Sequence, residues 1–401
     1  MDDTPLQMVE DEEGLADLLS RIENEPVLGI DTESDSMHSY REKVCLIQIS
    51  DRHRDYIVDP LAGIDLAPLG EVMANPEVVK IFHGADYDVV SLKRDFGWTI
   101  TNLFDTMIAA QLLDLPKVGL ADLCANAFGA YMDKKYQTHN WAQRPLEAEH
   151  LFYARGDTHY LLALRELLQL KLKRLERQDV AAEEFAALES REWRGGTEED
   201  HSATFLRMKG SNKLNDTQLR VLRQLWKLRD DRARDLNRPA YKVFPDPVLV
   251  NIAVRQPKTM EDLAKLMRAK SSMYRRHGKS MLEAVVRGLQ DDSALPSPPK
   301  KVRTGTRPRY GARETDRMLS VLKSWRSKQM KGGLPLVMIG SNNQLKAIAG
   351  FRPTSVEELE QIEELRGWQI ERYGDELIEL VTTFEAGLEK TEGGGRRRRR
   401  R

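Results

Sequence analysis

Cysteine is scarce in this chain of 401 residues, which contains only Cys45 and Cys124. Both lie in apolar surroundings, and their spacing is not the Cys-x-x-Cys pattern of a zinc site or redox pair. Long apolar runs are also lacking, since the segment 44–49 is far shorter than the ~18 residues expected of a membrane span. The acidic N-terminus has no signal-peptide pattern. These absences exclude a disulfide framework and predict a cytoplasmic protein with both cysteines in its core.

Charge is unevenly distributed along the chain, although the formal net charge is −1. Residues 1–200 carry 20 basic and 39 acidic side chains, whereas residues 201–401 carry 42 basic and 24 acidic ones. A basic half is suited to holding a polyanion, and an acidic half is suited to holding cations. The alternative is that the two halves attract each other or simply keep the protein soluble.

The hydrophobic pattern predicts an α/β domain with a mixed sheet, followed by helical segments. Strand patterns at 26–31, 43–50 and 54–59 predict a meander, and an apolar strand at 78–82 leads into the next helix. A further helix is predicted to begin at Leu103, and a long one to occupy 146–168. At this length, two or three domains are expected.

The second half of the chain reads as two helical blocks joined by a Pro-rich basic segment. The order of apolar residues is similar in both blocks, which predicts a duplicated module. The expected units are the α/β domain at 1–200, helical domains at 208–291 and 313–390, a linker at 292–312 and a disordered Gly/Arg tail at 391–401.

Two acids, Asp31 and Glu33, stand at the end of the first predicted strand of the meander. Because side chains alternate along a strand, these two carboxylates lie on the same face. Like charges brought together and buried need a cation or a proton to neutralise them. A solvated strand end would explain the same pair, so the metal hypothesis depends on further acids reaching this place.

Two later segments supply such acids. Asp88 lies in the first turn of the helix after strand 78–82, where a βα connection delivers residues to the carboxyl edge of a sheet. Asp86 is its rival, and either could simply favour the positive end of the helix dipole. Tyr153 and Asp157 are four residues apart on a predicted helix and therefore share a face. Alone, that pair is more typical of a tyrosine on a core stripe with an aspartate at its edge.

Taken together, these segments resemble the motifs of the DEDD exonuclease superfamily in its tyrosine subclass, which includes the ribonuclease D family and the exosome-associated 3′-5′ exonucleases of eukaryotes. The matching motifs are Gly29-Ile-Asp31-Thr-Glu33, Val79-Lys-Ile-Phe-His83-Gly-Ala-Asp-Tyr-Asp88 and Tyr153-Ala-Arg-Gly-Asp157. The resemblance extends over residues 25–175, and the helical blocks at 212–290 and 314–388 resemble HRDC domains.

The resemblance implies an RNase-H-like 3′-5′ exonuclease fold followed by two small all-α HRDC-like domains. It also implies that two divalent ions, Mg²⁺ or Mn²⁺, bind the carboxylates of Asp31, Glu33, Asp88 and Asp157. Two ions ~4 Å apart would activate the attacking water and stabilise the departing 3′-oxygen. Tyr153, with a reference pKa of about 10, is assigned to orienting that water. The expected product is a nucleoside 5′-monophosphate.

RNA is the polymer that the resemblance favours, with trimming of transfer RNA precursors as the family's bacterial role. His83 and Trp141 lie close to the motifs and are candidate nucleotide contacts, since aromatic groups stack on unpaired bases. Candidate phosphate contacts in the basic half are Arg223, Lys227, Arg268, Lys270, Arg275 and Arg276. A structural role or a solvated helix face is the alternative for each of them.

Two other functions remain open at this point. A DNA exonuclease would use the same chemistry on a different polymer. A nucleic-acid-binding scaffold without catalysis would belong to another class, and the presence of all five motif residues argues against it.

Overall fold

A computed structural model of the chain describes residues 4–193, 201–267, 271–297 and 305–398, with side chains up to residue 388. The N-terminal part is built on a mixed sheet whose strands are β1 Leu6–Val9, β2 Val27–Ser34, β3 Val44–Ser50, β4 Asp55–Val58, β5 Val79–Phe82 and β6 Leu103–Asp105. Their order across the sheet is β1-β4-β3-β2-β5-β6. The predicted meander is the antiparallel centre, β2-β3-β4, and the other strands join it in parallel.

Helices pack on both faces of this sheet. They are α1 Glu12–Ile22, α2 Ala67–Ala74, α3 Asp86–Phe96, α4 Thr106–Leu112, α5 Leu120–Phe128, α6 Ala148–His159, α7 Leu161–Arg174 and α8 Gln178–Glu189. The main apolar core lies on one face of the sheet, and a smaller apolar cluster lies beneath α6 on the other. Cys45 and Cys124 are buried and free, as expected. Among the described helices, none combines the length and apolarity that crossing a bilayer requires.

The α/β part differs from the sequence prediction in three places. β1 was not predicted, and the segment at Leu103 begins as strand β6 before Asp105 caps the following helix through the Met107 and Ile108 N–H groups. The long helix predicted at 146–168 is two helices, α6 and α7, which meet at Tyr160. Both helices contact β2, but α6 packs mainly on β3 and β4, whereas α7 packs on β5 and α4.

Two helical bundles follow. The first bundle contains α9 Asp216–Asp235, α10 Ala240–Val243, α11 Asp246–Arg255, α12 Met260–Met267 and α13 Ser272–Gln290. The second bundle contains α14 Ala312–Lys331, α15 Asn342–Phe351, α16 Val356–Glu360 and α17 Gly367–Arg398. In each, a long first helix and a long last helix enclose shorter ones around a separate apolar core.

The two bundles share a local detail that supports duplication. Helices α11 and α15 both end in a left-handed residue, Gln256 with φ 48° and Arg352 with φ 56°, and proline follows each of them. A left-handed residue followed by proline is a common helix stop. The similar order of elements therefore extends to the way in which equivalent helices end.

Each bundle contacts the α/β part at a different place. In the second bundle, Met338 is buried in the α/β core, and the Trp368 N–H group donates to Glu183 of α8 at 3.0 Å. In the first bundle, Asp230 accepts a hydrogen bond of 2.8 Å from Tyr40, which lies in the loop between β2 and β3.

The C-terminal segment differs from its prediction. The sequence predicts a disordered tail at 391–401, whereas helix α17 continues to Arg398. Extending a helix that is already formed is much easier than starting one, so α17 can carry the adjoining residues with it. Residues 399–401 and the linker positions 298–304 lie outside the described residues.

Candidate active site

Strand β2 brings Asp31 and Glu33 to one face of the sheet, as the alternation of side chains predicts. Helix α6 crosses that face and adds Asp157. The carboxylate oxygens of Asp31, Glu33 and Asp157 lie within 4.8 Å of one another, an arrangement that can hold a metal ion. The pairing register between β2 and β3 shifts just after Glu33, and bulges of this kind are frequent beside active sites.

Asp88, and not Asp86, is the acid that α3 contributes. Asp88 is 7% exposed, and its carboxylate accepts a hydrogen bond of 2.5 Å from the Thr32 hydroxyl. Asp86, two residues earlier, instead forms an exposed ion pair of 3.0 Å with Arg191. Thr32 lies between Asp31 and Glu33 in the sequence, so β2 supplies two ligand candidates and also holds a third acid from α3.

The four acids strongly perturb one another. Burial, followed by the charge of Asp88, raises the pKa of Asp157 to about 7. Burial also raises the pKa of Asp88 to about 6, despite the opposing hydrogen bond from Thr32. Burial and neighbouring carboxylates hold the pKa values of Asp31 and Glu33 well above their usual range. Such a cluster takes up protons or cations readily, and oxygen ligands of this type suit hard divalent ions.

Tyr153 stands one helical turn before Asp157 and is held by two other aromatic rings. Its ring stacks on Trp141 with a centroid distance of 5.9 Å and meets Tyr136 edge-on at 5.7 Å. Burial, followed by the charges of Asp157, Glu33 and Asp31, raises the pKa of the Tyr153 phenol. The phenol therefore stays protonated at neutral pH and can donate or accept a hydrogen bond without acting as a free base.

Helix α6 is anchored to the sheet by a buried polar network that the sequence did not reveal. Asp55 of β4 accepts from Arg155 at 2.9 Å and is 2.9 Å from His159 Nδ1. The hydroxyls of Ser50 on β3 and Thr158 are 2.7 Å apart and share a hydrogen bond. These hydrogen bonds attach α6 to the sheet through the helix face opposite the one that carries Tyr153 and Asp157. Arg155 and Thr158 are inside the third motif, but nothing in their spacing indicates the partners on β3 and β4.

The structure corrects two of the predicted substrate contacts. Trp141 is 1% exposed and its ring stacks on Tyr153, so it supports the Tyr153 ring and is not available to a nucleotide. Arg223 is buried and donates to Asp291 at 2.6 Å, so its guanidinium is engaged within the first bundle. Both residues belong to types that often bind nucleic acid, and their burial depends on packing that residue type does not show.

The other predicted contacts are placed as follows. His83 is half-buried at the end of β5, with its Nδ1 atom 2.9 Å from the Thr106 hydroxyl. Lys227, Arg275 and Arg276 are exposed on α9 and α13. Arg268 and Lys270 lie outside the described residues.

Comparison with known proteins matches the α/β part and both helical bundles to known domain families. A family model described as 3′-5′ exonuclease matches residues 6–173, and the HRDC domain model matches residues 218–285 and 316–381. The solved structure of Escherichia coli RNase D superposes with a TM-score of 0.68 at 23% identity, covering 95% of this chain and 100% of that one, which establishes similarity of fold.

Two curated relatives differ in how much of them the chain covers. Protein RRP6-like 2 of Arabidopsis thaliana is 31% identical over 74% of this chain, which spans 35% of that relative. Ribonuclease D of Gluconacetobacter diazotrophicus is 31% identical over 92% of this chain and 91% of its own length. With this near-complete match and with all of its motifs in place, the chain belongs to the ribonuclease D family of 3′-5′ exonucleases.

Proposed function

We propose that this protein is a metal-dependent 3′-5′ exoribonuclease that removes terminal nucleotides as 5′-monophosphates. The observation that carries the proposal is the convergence of Asp31, Glu33 and Asp157, whose oxygens lie within 4.8 Å of one another, beside the buried Asp88. Tyr153 lies one turn from Asp157 on the same helix. The family assignment supports hydrolysis from a 3′ end.

The donor set fits two divalent ions, Mg²⁺ or Mn²⁺. The raised pKa values of the four carboxyl groups show that their ionised forms are unfavourable in this partly buried space, so bound cations would stabilise them. Asp31, Glu33, Asp88 and Asp157 would hold the ions, which when bound would supply acidification of a water and neutralisation of charge at the leaving oxygen.

Residues around the ions would position the reactants. The Tyr153 phenol, protonated and fixed between Trp141 and Tyr136, is suited to holding the attacking water by a hydrogen bond. Thr32 would keep Asp88 in a single orientation. His83 is proposed as a contact to the terminal nucleotide because it is partly exposed at the end of β5, next to the helix that carries Asp88.

The proposed substrate is RNA with a single-stranded 3′ end, with transfer RNA precursors as the physiological class and the cytoplasm as the location. The exposed Lys227, Arg275 and Arg276 on the first bundle could contact phosphates of the folded part of such an RNA. We also propose the predicted domain limits. The domain at 1–200 would carry the nuclease activity, and the helical domains at 208–291 and 313–390 would hold the RNA.

A comparison of Asp88→Asn with Asp86→Asn tests the proposed site. Asp88→Asn should lower Mg²⁺-dependent release of 5′-mononucleotides from a transfer RNA precursor by more than ~100-fold, because it removes a ligand charge. Asp86→Asn changes an exposed acid two residues away and should retain activity. Unchanged release by Asp88→Asn, or release that persists in chelator, would refute the metal site. A matched DNA strand is assayed in parallel, and faster cleavage of DNA would replace the substrate assignment.

A further inference from the structure

Gln48 lies at the centre of β3, directly beside the candidate metal site. It is the pairing partner of Asp31 on β2 and of Ile57 on β4. Directly opposed residues of antiparallel strands project from the same face, with Cβ atoms ~5 Å apart. The Gln48 side chain therefore shares the face of Asp31 and Glu33.

Helix α6 covers this position. Ser50, two residues along β3 and so on the same face, shares a hydrogen bond of 2.7 Å with the Thr158 hydroxyl of α6. Leu46, two residues in the other direction, belongs to an apolar cluster with Trp141 and Ala154. Gln48 is consequently enclosed between the sheet and the helix that carries Tyr153 and Asp157.

The amide of Gln48 is buried without a protein partner. Its side chain is 0% exposed, and neither Oε1 nor Nε2 makes a hydrogen bond within the described part of the chain. Burying an amide in this way costs free energy, and nearly all buried polar groups in proteins are paired. Leu46 and Ile57 beside it are apolar, so packing alone would be served equally well by methionine or leucine.

We infer that Gln48 is a positioning residue of the metal site, whose unpaired amide N–H group would donate to the Asp31 carboxylate when divalent ions bind and so hold that carboxylate in its ligating orientation. This inference rests on the proposed function, because it assigns Gln48 a role toward a metal ligand. Carboxylates that bind metals are themselves commonly fixed by hydrogen bonds from residues behind them. An ionised carboxylate only accepts, so the Nε2 donor is the complementary group.

Gln48→Met tests the inference, because methionine keeps the length and unbranched shape but has neither an N–H donor nor a carbonyl acceptor. Removal of the partnerless amide should leave the Tm of the metal-free protein equal to or above that of the wild type. Mn²⁺ affinity, measured by calorimetric titration, should fall about tenfold. On a short RNA, kcat should fall while KM stays constant, since Gln48 does not touch the substrate.

Ile49→Val is the matched control, because Ile49 is buried in the main core on the opposite face of the same strand. It should lower Tm slightly and leave Mn²⁺ affinity unchanged. If Gln48→Met instead lowers Tm with unchanged Mn²⁺ affinity, the amide has only a structural role, for example with a buried water, and the inference is overturned. Gln48→Leu is judged by the same criteria if the methionine variant does not fold.

Asp31→Asn, titrated with Mn²⁺ in parallel, separates this inference from the proposed function. Weaker binding in both Asp31→Asn and Gln48→Met supports both. Weaker binding in Asp31→Asn alone overturns the role of Gln48 and retains the metal site. Unchanged binding in Asp31→Asn overturns the metal site, and the inference falls with it.

Discussion

Among the proposed active-site residues, Tyr153 is the one whose proposed role depends on a hydrogen bond and not on charge. We expect Tyr153→Phe to lower kcat by ~100-fold, the lower range for losing a group that manages a proton or water at the reacting centre. The ring should remain between Trp141 and Tyr136, so Tm and Mn²⁺ affinity should be unchanged. Single-turnover hydrolysis of a short RNA provides the measurement, and wild-type turnover would show that the phenol has no such role.

The four carboxylates make the metal-free protein sensitive to pH. The pKa of Asp157 is about 7 and that of Asp88 about 6 when folded, against 3.8 for an unperturbed aspartate. These pKa values set the limits of the pH window, with the unfolded aspartate at the lower end and folded Asp157 at the upper end. Between about pH 4 and 7 the folded state therefore binds more protons than the unfolded state. Stability should therefore fall as pH rises through this window.

Asp157→Asn should remove part of that pH dependence. In chelator at pH 8, the variant should melt at a higher temperature than the wild type, because one repelling charge is gone, and the difference should vanish near pH 4. A gain of 1 kcal/mol would correspond to ~2–4 °C for a domain of this size. Added Mn²⁺ should stabilise the wild type more than the variant. Thermal melts across pH provide the test, and a lower Tm for the variant at pH 8 would contradict it.

At the residue scale, the sequence identifies the candidate metal-binding acids better than the residues that hold them in position. Asp31 and Glu33 follow from strand alternation, and the motif resemblance selects Asp88 over Asp86. Trp141 and Arg223 were assigned to the substrate although both are buried, because residue type indicates chemistry and not exposure. The bond from Thr32 to Asp88 joins residues 56 positions apart, which no local pattern contains.

Helix α6 is the element on which the geometry of the site depends, because it carries both Tyr153 and Asp157. Its anchor is Asp55. Burial acts to raise the pKa of this carboxyl, but hydrogen bonds from His159, Ser50 and Arg155 together hold the pKa below its usual value. Arg155→Met would leave the buried carboxylate short of its strongest cation. We expect a decrease of ~3 kcal/mol in unfolding free energy, the lower range for breaking a buried pair, together with reduced kcat.

Arg52→Met is the control for that prediction, since Arg52 pairs with Glu166 of α7 on the surface, where both side chains are about half exposed. Its replacement should cost less than ~1 kcal/mol. Urea unfolding of both variants provides the measurement. Equal stability of Arg155→Met and Arg52→Met would show that the buried network does not hold α6 in place.

At the element scale, the meander and most helices follow from hydrophobic periodicity, whereas β1 and β6 do not. β6 contains only 3 residues and leads directly into α4, so its residues fit a helical pattern equally well, and β1 is an edge strand of 4 residues with a single fully buried position. The division between α6 and α7 is also invisible in the sequence, because both halves have helical spacing. What distinguishes them is tertiary packing: both contact β2, but α6 packs on β3 and β4, whereas α7 packs on β5 and α4.

At the scale of the whole molecule, the first bundle lies next to the strand that carries the acids. Strand β2 ends at Ser34, and the loop that follows it holds Tyr40, whose hydroxyl donates to Asp230 at 2.8 Å while Arg234 lies over its ring at 5.8 Å. A cleft of about 490 Å³ lined by Arg41 and Arg207, among others, separates loop and bundle. The basic half of the chain is thus joined to the acidic site on the side where β2 ends.

This arrangement predicts how salt should affect RNA binding. Replacing the exposed Lys227, Arg275 and Arg276 by glutamine should weaken binding of a structured RNA. The slope of log affinity against log salt should decrease by up to ~2, because each phosphate that a cation neutralises adds about 0.7 to it. Hydrolysis of a dinucleotide should be unchanged, because so short a substrate reaches only the proposed catalytic carboxylates. Binding is measured by anisotropy in an Asp88→Asn background to prevent cleavage.

The matched control removes the same charge from the second bundle, at the exposed Arg313, Arg317 and Lys328 of α14. If net charge alone attracts RNA, both triple variants should show the same decrease in affinity, because long-range attraction depends on total charge and is screened by salt. If the first bundle provides a defined contact surface, only its own variant should change the salt slope. Equal slopes in the two variants would therefore reject a localised RNA contact on α9 and α13 while leaving the catalytic site unaffected.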